Sequence, residues 1–208
     1  DHCRVLGTYS RPDLEIELDR CKLTSTGSSA LAEVLGRNQG QTKLANCDVD
    51  NIVLADGLRG NSRLKRLRPQ ISNSREVEDR QFLAIAGALR ENKGLVDLNL
   101  NSCLVSDETW NAICDSLKTH PTLEVLDLRV YFTNTTTAPA VITSRMQALA
   151  NMLEVNMSIH TIRLEPQYYE HELYRGSIFP YLATNQFPLR VRAIQKTLPS
   201  AYRAKVLS

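Results

Sequence analysis

The sequence predicts an α/β solenoid, in which short parallel strands alternate with helices around one continuous core. A motif of apolar residues recurs along the 208-residue chain and is most complete as Leu95-x-x-Leu98-x-Leu100-x-x-Cys103-x-Val105. A second motif, Leu-x-x-Asn, closes each unit and keeps phase with the first. The units follow one another at intervals of roughly 25 to 36 residues, a spacing typical of stacked repeats.

The first motif can be followed through six units. Partial copies lie at 16–23, 44–49, 64–67, 123–128 and 159–164, and they place Tyr131 and Gln167 where unit four has its cysteine. The second motif occurs as Leu35/Asn38, Leu58/Asn61, Leu89/Asn92, Leu117/His120, Leu153/Asn156 and Leu182/Asn185. Together they predict strands that begin near positions 16, 43, 64, 96, 124 and 160.

A helix is predicted between each pair of strands, because apolar residues there recur at spacings of three and four, as in Phe82, Ile85, Ala86 and Leu89. Strands joined by helices lie parallel, with right-handed crossovers. A helix is wider than a strand, so the stack curves into a horseshoe. The strands then form the concave face and the helices form the convex face.

The motif, the long helices and the period resemble the ribonuclease-inhibitor-like class of leucine-rich repeats. The units that end in Leu-x-x-Asn are also similar to the repeats of tropomodulin and of Ran GTPase-activating protein. The resemblance covers residues 13–187 and about six repeats, and it implies a scaffold that binds other proteins. Residues 1–12 are interpreted as an N-terminal lead-in, and residues 188–208 as a basic C-terminal cap.

The cap is inferred because the last layer of a repeat stack needs a cover with a polar outer face. Val191, Ile194 and Leu198 have helical spacing and could provide that cover. The segment also carries basic residues and no acidic ones, so a binding patch for an anionic surface is the alternative.

Composition argues against several classes of protein. The net charge is +2, which does not indicate a nucleic-acid binder, and no apolar run is long enough for a transmembrane helix. The N-terminus lacks both a signal peptide and a starting Met, which suggests a processed, truncated or excerpted chain.

Cys21, Cys47 and Cys103 occupy the same repeat position, where a small and nearly apolar side chain fits the inward turn. The sequence has no C-x-x-C pair or other metal-ligand spacing, so these cysteines are interpreted as buried, reduced packing residues. Free thiols indicate a reducing intracellular compartment, which would be the cytoplasm, the nucleus or an organelle.

No catalytic motif is present, and the histidines are scattered among repeat ends, a strand and a loop. The sequence therefore predicts no enzyme, no cofactor and no metal. The concave face lacks the row of aromatic side chains that would stack bases, which disfavours single-stranded nucleic acid. Its charges change from acidic to basic to mixed, and opposite charges could also simply neutralise one another across strands.

The predicted function is a non-enzymatic module or scaffold for a protein partner of unknown identity, and a place in a larger complex is compatible with it. The predicted contact regions are the concave face and the insertions of units five and six, at 131–144 and 165–177. Arginine and tyrosine often carry interface energy, although the tyrosines could instead pack the cap. The candidate binding residues are Arg129, Arg163, Tyr168, Tyr169, Tyr174, Arg66 and Arg68.

The alternative function follows from the resemblance to the Ran activator, which implies a GTPase-activating factor for a small GTPase. That family carries an acidic tail after its repeats, whereas this chain ends in a basic segment.

Overall fold

A computed structural model describes residues 15–19, 21–37, 41–70, 75–132 and 138–186. Within these ranges six strands form one parallel sheet in chain order, each beginning within two residues of its predicted start. They are β1 (Glu15–Asp19), β2 (Gln41–Asp48), β3 (Leu64–Gln70), β4 (Asp97–Asn99), β6 (Val125–Leu128) and β8 (Thr161–Leu164). The predicted parallel α/β architecture is confirmed. The predicted lead-in and C-terminal cap lie outside the described residues.

A second, two-stranded parallel sheet lies just beyond the first and consists of β5 (Leu104–Val105) and β7 (Tyr131–Phe132). Its register pairs Leu104 with Tyr131. The turn before β5 therefore holds one more residue than the turn before β7, and it contains Ser102 at a φ of 66°. The alignment of Tyr131 with Cys103 was wrong, because Val130 takes the buried position and Tyr131 is 60% exposed.

Six helices follow the strands in the described residues. They are α1 (Ser25–Gly36), α2 (Asn51–Arg59), α3 (Arg75–Leu89), α4 (Asp107–Leu117), α5 (Pro139–Val155) and α6 (172–186). The last begins after a short 3₁₀ turn, Pro166–Tyr168, and includes a π-helical turn, Tyr174–Ile178. Successive helices pack against each other from α1 to α5. Part of each predicted insertion is therefore helical, since α5 begins within 131–144 and α6 begins within 165–177.

Side chains at the start of three helices explain where these helices begin. Thr24 Oγ1 accepts a hydrogen bond from Gly27 N, and Ser106 Oγ accepts one from Thr109 N. The carboxylate of Asp50 accepts from the first amides of α2. These contacts satisfy helix N–H groups that have no partner within the helix.

The core lies between the large sheet and the helices. Leu67, Leu98, Leu126 and Ile162 form one continuous row across β3, β4, β6 and β8, because each is paired with the next in the strand register. All four are buried, as are Phe82 and Trp110 from the helices. Each unit thus adds one layer of apolar side chains that is covered by its neighbours.

Asparagines at the ends of the helices link the units. Asn92 Nδ2 donates to Leu58 O and Asn61 O of the preceding unit, and its Oδ1 accepts from Gly94 N and Leu95 N of its own unit. Asn61, Asn156 and Asn185 also donate to carbonyl groups of the unit before them. All four are buried, so each such asparagine satisfies backbone groups that water does not reach.

We call this series of helix-end residues the asparagine ladder. Its described members are Asn61, Asn92, His120, Asn156 and Asn185, and the His120 side chain forms fewer hydrogen bonds than the side chain of Asn92. The Nδ1 of His120 accepts a hydrogen bond from Leu123 N, but its buried Nε2 has no partner. Burial lowers the pKa of His120 from 6.5 to about 4. Protonation of this ring is therefore unfavourable in the folded chain.

The cysteine predictions meet the structure in part. Cys103 is buried, and its thiol lies 3.9 Å from Asn101 O. Cys21 is only partly buried. The side chain of Cys47 lies outside the described residues.

No helix in the described ranges is long and apolar enough to cross a membrane.

We expect His120→Asn to stabilise the fold by about 1 kcal/mol, because an amide in this position can donate to the preceding unit as Asn92 does. The variant should also change the pH dependence of stability. Between pH 6.5 and 4 the unfolded chain binds a proton at His120 and the folded chain does not. Acidification through this window should therefore cost the native chain about 2 kcal/mol more than the variant.

Urea unfolding of both proteins at pH 7, 6 and 5 measures this difference. If the difference in the free energy of unfolding between the two proteins is the same at all three pH values, the lowered pKa of His120 is wrong.

Gly94→Ala should destabilise the fold by about 1 to 3 kcal/mol, because a Cβ there overpacks the contact between units. That Cβ would lie 2.4 Å from backbone atoms of Ser62, which cannot move as a flexible side chain can. Gly60→Ala is the matched control, since nothing lies within 4 Å of its Cβ position. Thermal unfolding that gives equal losses for both variants would show that the close approach at Gly94 is not limiting.

Candidate functional site

One side of the large sheet carries polar residues in two rows that alternate with the buried leucines. The first row aligns Arg66, Asp97, Val125 and Thr161, and the second aligns Asn99, Asp127 and Arg163. Arg68 lies on β3 next to the start of the second row. We call these eight residues the polar face. Most side chains of β1, including the acidic ones predicted to face outward, and all those of β2 lie outside the described residues.

Asp127 organises the C-terminal half of the polar face. Its carboxylate accepts from Arg129 Nε at 2.9 Å and from Arg129 Nη2 at 2.6 Å, in a two-point ion pair. Arg163 Nη1 lies 3.7 Å from the same carboxylate. The Asp127 side chain is fully buried, whereas those of Arg129 and Arg163 are 41% and 53% exposed. Two guanidinium groups therefore share one carboxylate, and the negative charge of Glu165 also raises the pKa of Arg129.

The ionisation of these groups follows from the same contacts. Burial by itself would raise the pKa of Asp127, but the hydrogen bonds and charge of Arg129, with the charge of Arg163, lower the pKa below its ordinary value. The bonds to Asp127 in turn raise the pKa of Arg129. Asp127 and Arg129 are therefore both ionised at neutral pH, and their two-point ion pair orients the Arg129 guanidinium.

Arg66 and Arg68 lie at the other end of the polar face. The guanidinium of Arg66 is 3.9 Å from Asp97 and its side chain is 66% exposed, so this is a weak surface ion pair. Arg68 is half-buried and makes no hydrogen bond or ion pair with the described residues. This end of the face therefore also presents arginine side chains, of which Arg66 is the more exposed.

The three candidate tyrosines occupy different environments. Tyr168 is only 3% exposed and packs in the core, where its hydroxyl bonds Arg145, so it presents no surface to a partner. Tyr169 is 37% exposed, and its hydroxyl accepts from Leu164 N at 3.1 Å. Its ring meets the half-buried Tyr174 edge to face, with centroids 4.9 Å apart. Burial and the nearby Tyr169 raise the pKa of Tyr174.

Arg145 is a buried contact residue that the sequence interpretation did not identify. Its Nε donates to Asp107 at 2.6 Å, its guanidinium lies 3.5 Å from the centre of the Phe132 ring, and its carbonyl accepts from Trp110 Nε1. With its bond to Tyr168, Arg145 links α4, β7, α5 and the turn that carries Tyr169. The available signal was a charged residue inside the apolar stripe of α5, beside Met146 and Leu149.

The described residues contain no group of three or more His, Cys, Asp or Glu side chains that could hold a metal ion.

Tyr131 also lies elsewhere than its place in the repeat motif predicts. The register described above puts it on the surface beside β5, where it adds an exposed aromatic ring near the unit-five segment. The arrangement offers fixed arginines and exposed tyrosines, which suit recognition of another molecule.

Asp127→Asn should lower the free energy of unfolding by about 2 kcal/mol at pH 7, because a buried charge-assisted pair loses its anion while the two arginines stay. Asp97→Asn is the matched control, since its partner Arg66 is exposed and distant. We expect that control to change stability by less than about 0.5 kcal/mol. Denaturant unfolding of both variants is the measurement, and equal effects would show that Asp127 does not organise the face.

Comparison with known proteins identifies the fold. No family model matches the chain, and no curated protein matches it significantly in sequence. Among solved structures it is similar to one described as "Leiomodin-1 Actin-Binding Site 2 (ABS2)", with a TM-score of 0.59, 18% identity and 94% of each chain covered. It is also similar to a tropomodulin C-terminal domain from Caenorhabditis elegans, with a TM-score of 0.52, 13% identity, and 93% of this chain and 96% of that chain covered. The chain therefore shares the fold of these domains, and the resemblance to tropomodulin is confirmed at that level.

Proposed function

We propose that the chain is a non-enzymatic protein-binding module that contacts its partner through the polar face and the adjacent Tyr169. We also propose that its repeats form a leucine-rich-repeat horseshoe, with the polar face on the concave side. Strands in chain order and helices that pack in the same order support this shape, since helices take more room than strands.

The observation that carries the proposal is the shared carboxylate of Asp127. Arg129 and Arg163 are held by it and remain about half exposed, so little conformational freedom is lost when they bind. Arginine is the residue type that most often provides charged anchors at interfaces. Because both guanidinium groups are about half exposed, we favour a partner surface that presents carboxylates.

The tyrosines complement these charges. Tyr169 offers an amphipathic ring that is already braced by Tyr174 and by the backbone of β8. Tyr168 supports the same turn from the core through Arg145, and it acts in positioning and not in contact. Within the unit-six insertion, we therefore propose that only the short turn around Tyr169 contacts the partner.

Actin is the first partner to test, because the leiomodin structure is described as an actin-binding site. A place within a larger cytoskeletal assembly would follow from such a partner. The buried free thiol of Cys114 supports a reducing compartment. The alternative function, activation of a small GTPase, has no observation of the described residues in its favour.

Arg163→Ala and Tyr169→Ala should each weaken actin binding by about 2 kcal/mol, or roughly thirtyfold, if they are anchors of the interface. Arg90→Ala is the control, because Arg90 is exposed, lies directly after α3 and is not part of the polar face. Calorimetric titration of monomeric actin measures all three, with thermal unfolding to confirm equal folding.

Equal loss in the control, or no loss in the two test variants, would contradict the polar face as the binding surface. If native protein does not bind actin, the partner assignment fails. The same variants are then compared for proteins captured from native extract and mapped by cross-linking mass spectrometry.

A further inference from the structure

Tyr169 lies on a surface turn between β8 and α6. The turn includes the 3₁₀ segment Pro166–Tyr168, and the amides of Tyr168 and Tyr169 donate to carbonyl groups within it. Pro166, Gln167 and Glu170 are exposed, and Tyr169 itself is 37% exposed. Because these backbone bonds stay within the turn, its local opening does not require a bond between strands to break.

Acidic residues surround Tyr169 in the chain. Glu165, Glu170 and Glu172 all lie within four positions of it, and the last two are exposed. The sequence has no Lys or Arg from 164 to 173. Protein kinases select their substrates by such charge patterns, and tyrosine kinases favour acidic residues beside the tyrosine. The segment therefore has the charge pattern of a tyrosine-kinase substrate.

The other tyrosines among the described residues are less suitable. Tyr168 is only 3% exposed, and Tyr174 and Tyr181 are half-buried. Tyr131 is 60% exposed, but the one acidic residue within four positions of it is the buried Asp127. Tyr131 is thus a control within the same chain, because it is the more accessible ring and lacks exposed acidic neighbours.

The hydroxyl of Tyr169 lies close to the arginines of the polar face. Its Oη accepts from Leu164 N at 3.1 Å, and that nitrogen belongs to the peptide bond with Arg163. The bonds to Asp127 do most to raise the pKa of Arg129, and the charge of Tyr169 adds to the rise. Arg163 is less tightly held than Arg129, since its Nη1 lies 3.7 Å from the shared carboxylate.

We propose that Tyr169 is a phosphorylation site, and that its phosphate binds Arg163 and Arg129 and closes the polar face to carboxylates of a partner. A tyrosine kinase transfers the γ-phosphoryl group of a nucleoside triphosphate to Tyr169 Oη. The new O–P bond forms as the bond between that phosphorus and the β-phosphate oxygen breaks, and a nucleoside diphosphate leaves. The hydroxyl proton passes to the base of the kinase. The site itself is independent of the proposed function, whereas the closing of the face rests on it.

The phosphate changes the charge of the face. It adds about −1.5 to −2 charges near neutral pH, with three strong acceptor oxygens. A guanidinium binds such a group through short, charge-assisted hydrogen bonds. Arg163 thereby exchanges a distant, shared carboxylate for an anion of its own. A carboxylate of the partner then meets a phosphate beside the arginines, and like charges repel.

Phosphorylation of the folded, full-length chain tests the site. Native protein and Tyr169→Phe are incubated with ATP and a purified tyrosine-kinase domain that prefers acidic substrates, and mass spectrometry locates the phosphate. We expect incorporation at Tyr169 to be at least about tenfold faster than at Tyr131. The variant distinguishes Tyr169 from the adjacent Tyr168, because the phosphate on their shared peptide should disappear. Equal rates at Tyr169 and Tyr131, no phosphate on the shared peptide, or a phosphate that persists in the variant overturns the proposal.

The contact with the arginines is tested without any partner. NMR follows the Nε–H signals of Arg163 and Arg129 before and after phosphorylation, with the exposed Arg90 as the control. We expect the Arg163 signal to shift and its hydrogen exchange with water to slow by at least about tenfold, while Arg90 stays unchanged. An unchanged Arg163 signal in protein that carries the phosphate at Tyr169 overturns the proposed contact.

Calorimetric titration of monomeric actin tests the closing of the face. Protein phosphorylated at Tyr169 should bind at least about tenfold more weakly than unmodified protein, because the phosphate repels carboxylates of the partner. Equal affinity overturns the closing of the face. If unmodified protein does not bind actin, the closing falls with the proposed function, whereas the phosphorylation site and the arginine contact stand or fall on the two experiments above.

Discussion

The asparagine ladder is the constraint on which the architecture depends. A buried amide such as Asn92 bonds two carbonyl groups of the preceding unit and two N–H groups of its own unit. It therefore fixes the distance between units and the starting point of the next strand at the same time. Leucines fill the layers, but apolar packing is not directional. Hydrogen bonds are directional, so the buried amides can set the register of the sheet.

Most of this architecture is visible in the sequence because its causes are local and repeated. Buried leucines and buried amides must recur at fixed offsets, so the strand starts and helix positions could be predicted closely. The exceptions have no repeat to reveal them. Ser102 adds one residue to a single turn, which moves Tyr131 from the expected core position to the surface. The early starts of α5 and α6 likewise depend on packing that is specific to those units.

The candidate site was less predictable, because it depends on contacts between units. Alternation along the strands identified Arg129 and Arg163 as outward residues, but the sequence does not show that both reach one buried carboxylate at Asp127. Tyr168 and Tyr169 are adjacent, so alternation required only that they differ in exposure. The 3₁₀ turn Pro166–Tyr168 places Tyr168 in the core beside Arg145 and leaves Tyr169 more exposed.

His120, whose side chain forms few hydrogen bonds, and Asp127, whose buried carboxylate binds two arginines, lie close to each other in the chain and belong to the same unit. His120 precedes β6, which carries Asp127, and its Nε2 makes no bond to the unit before it. On the helix side of that unit, Arg145 joins Asp107, Trp110 and Phe132 through an ion pair, a hydrogen bond and a cation–π contact. These contacts hold together the two units that flank β6 where the ladder alone holds them less firmly. The position of Asp127, and with it the two surface arginines, therefore rests on both sides of the core.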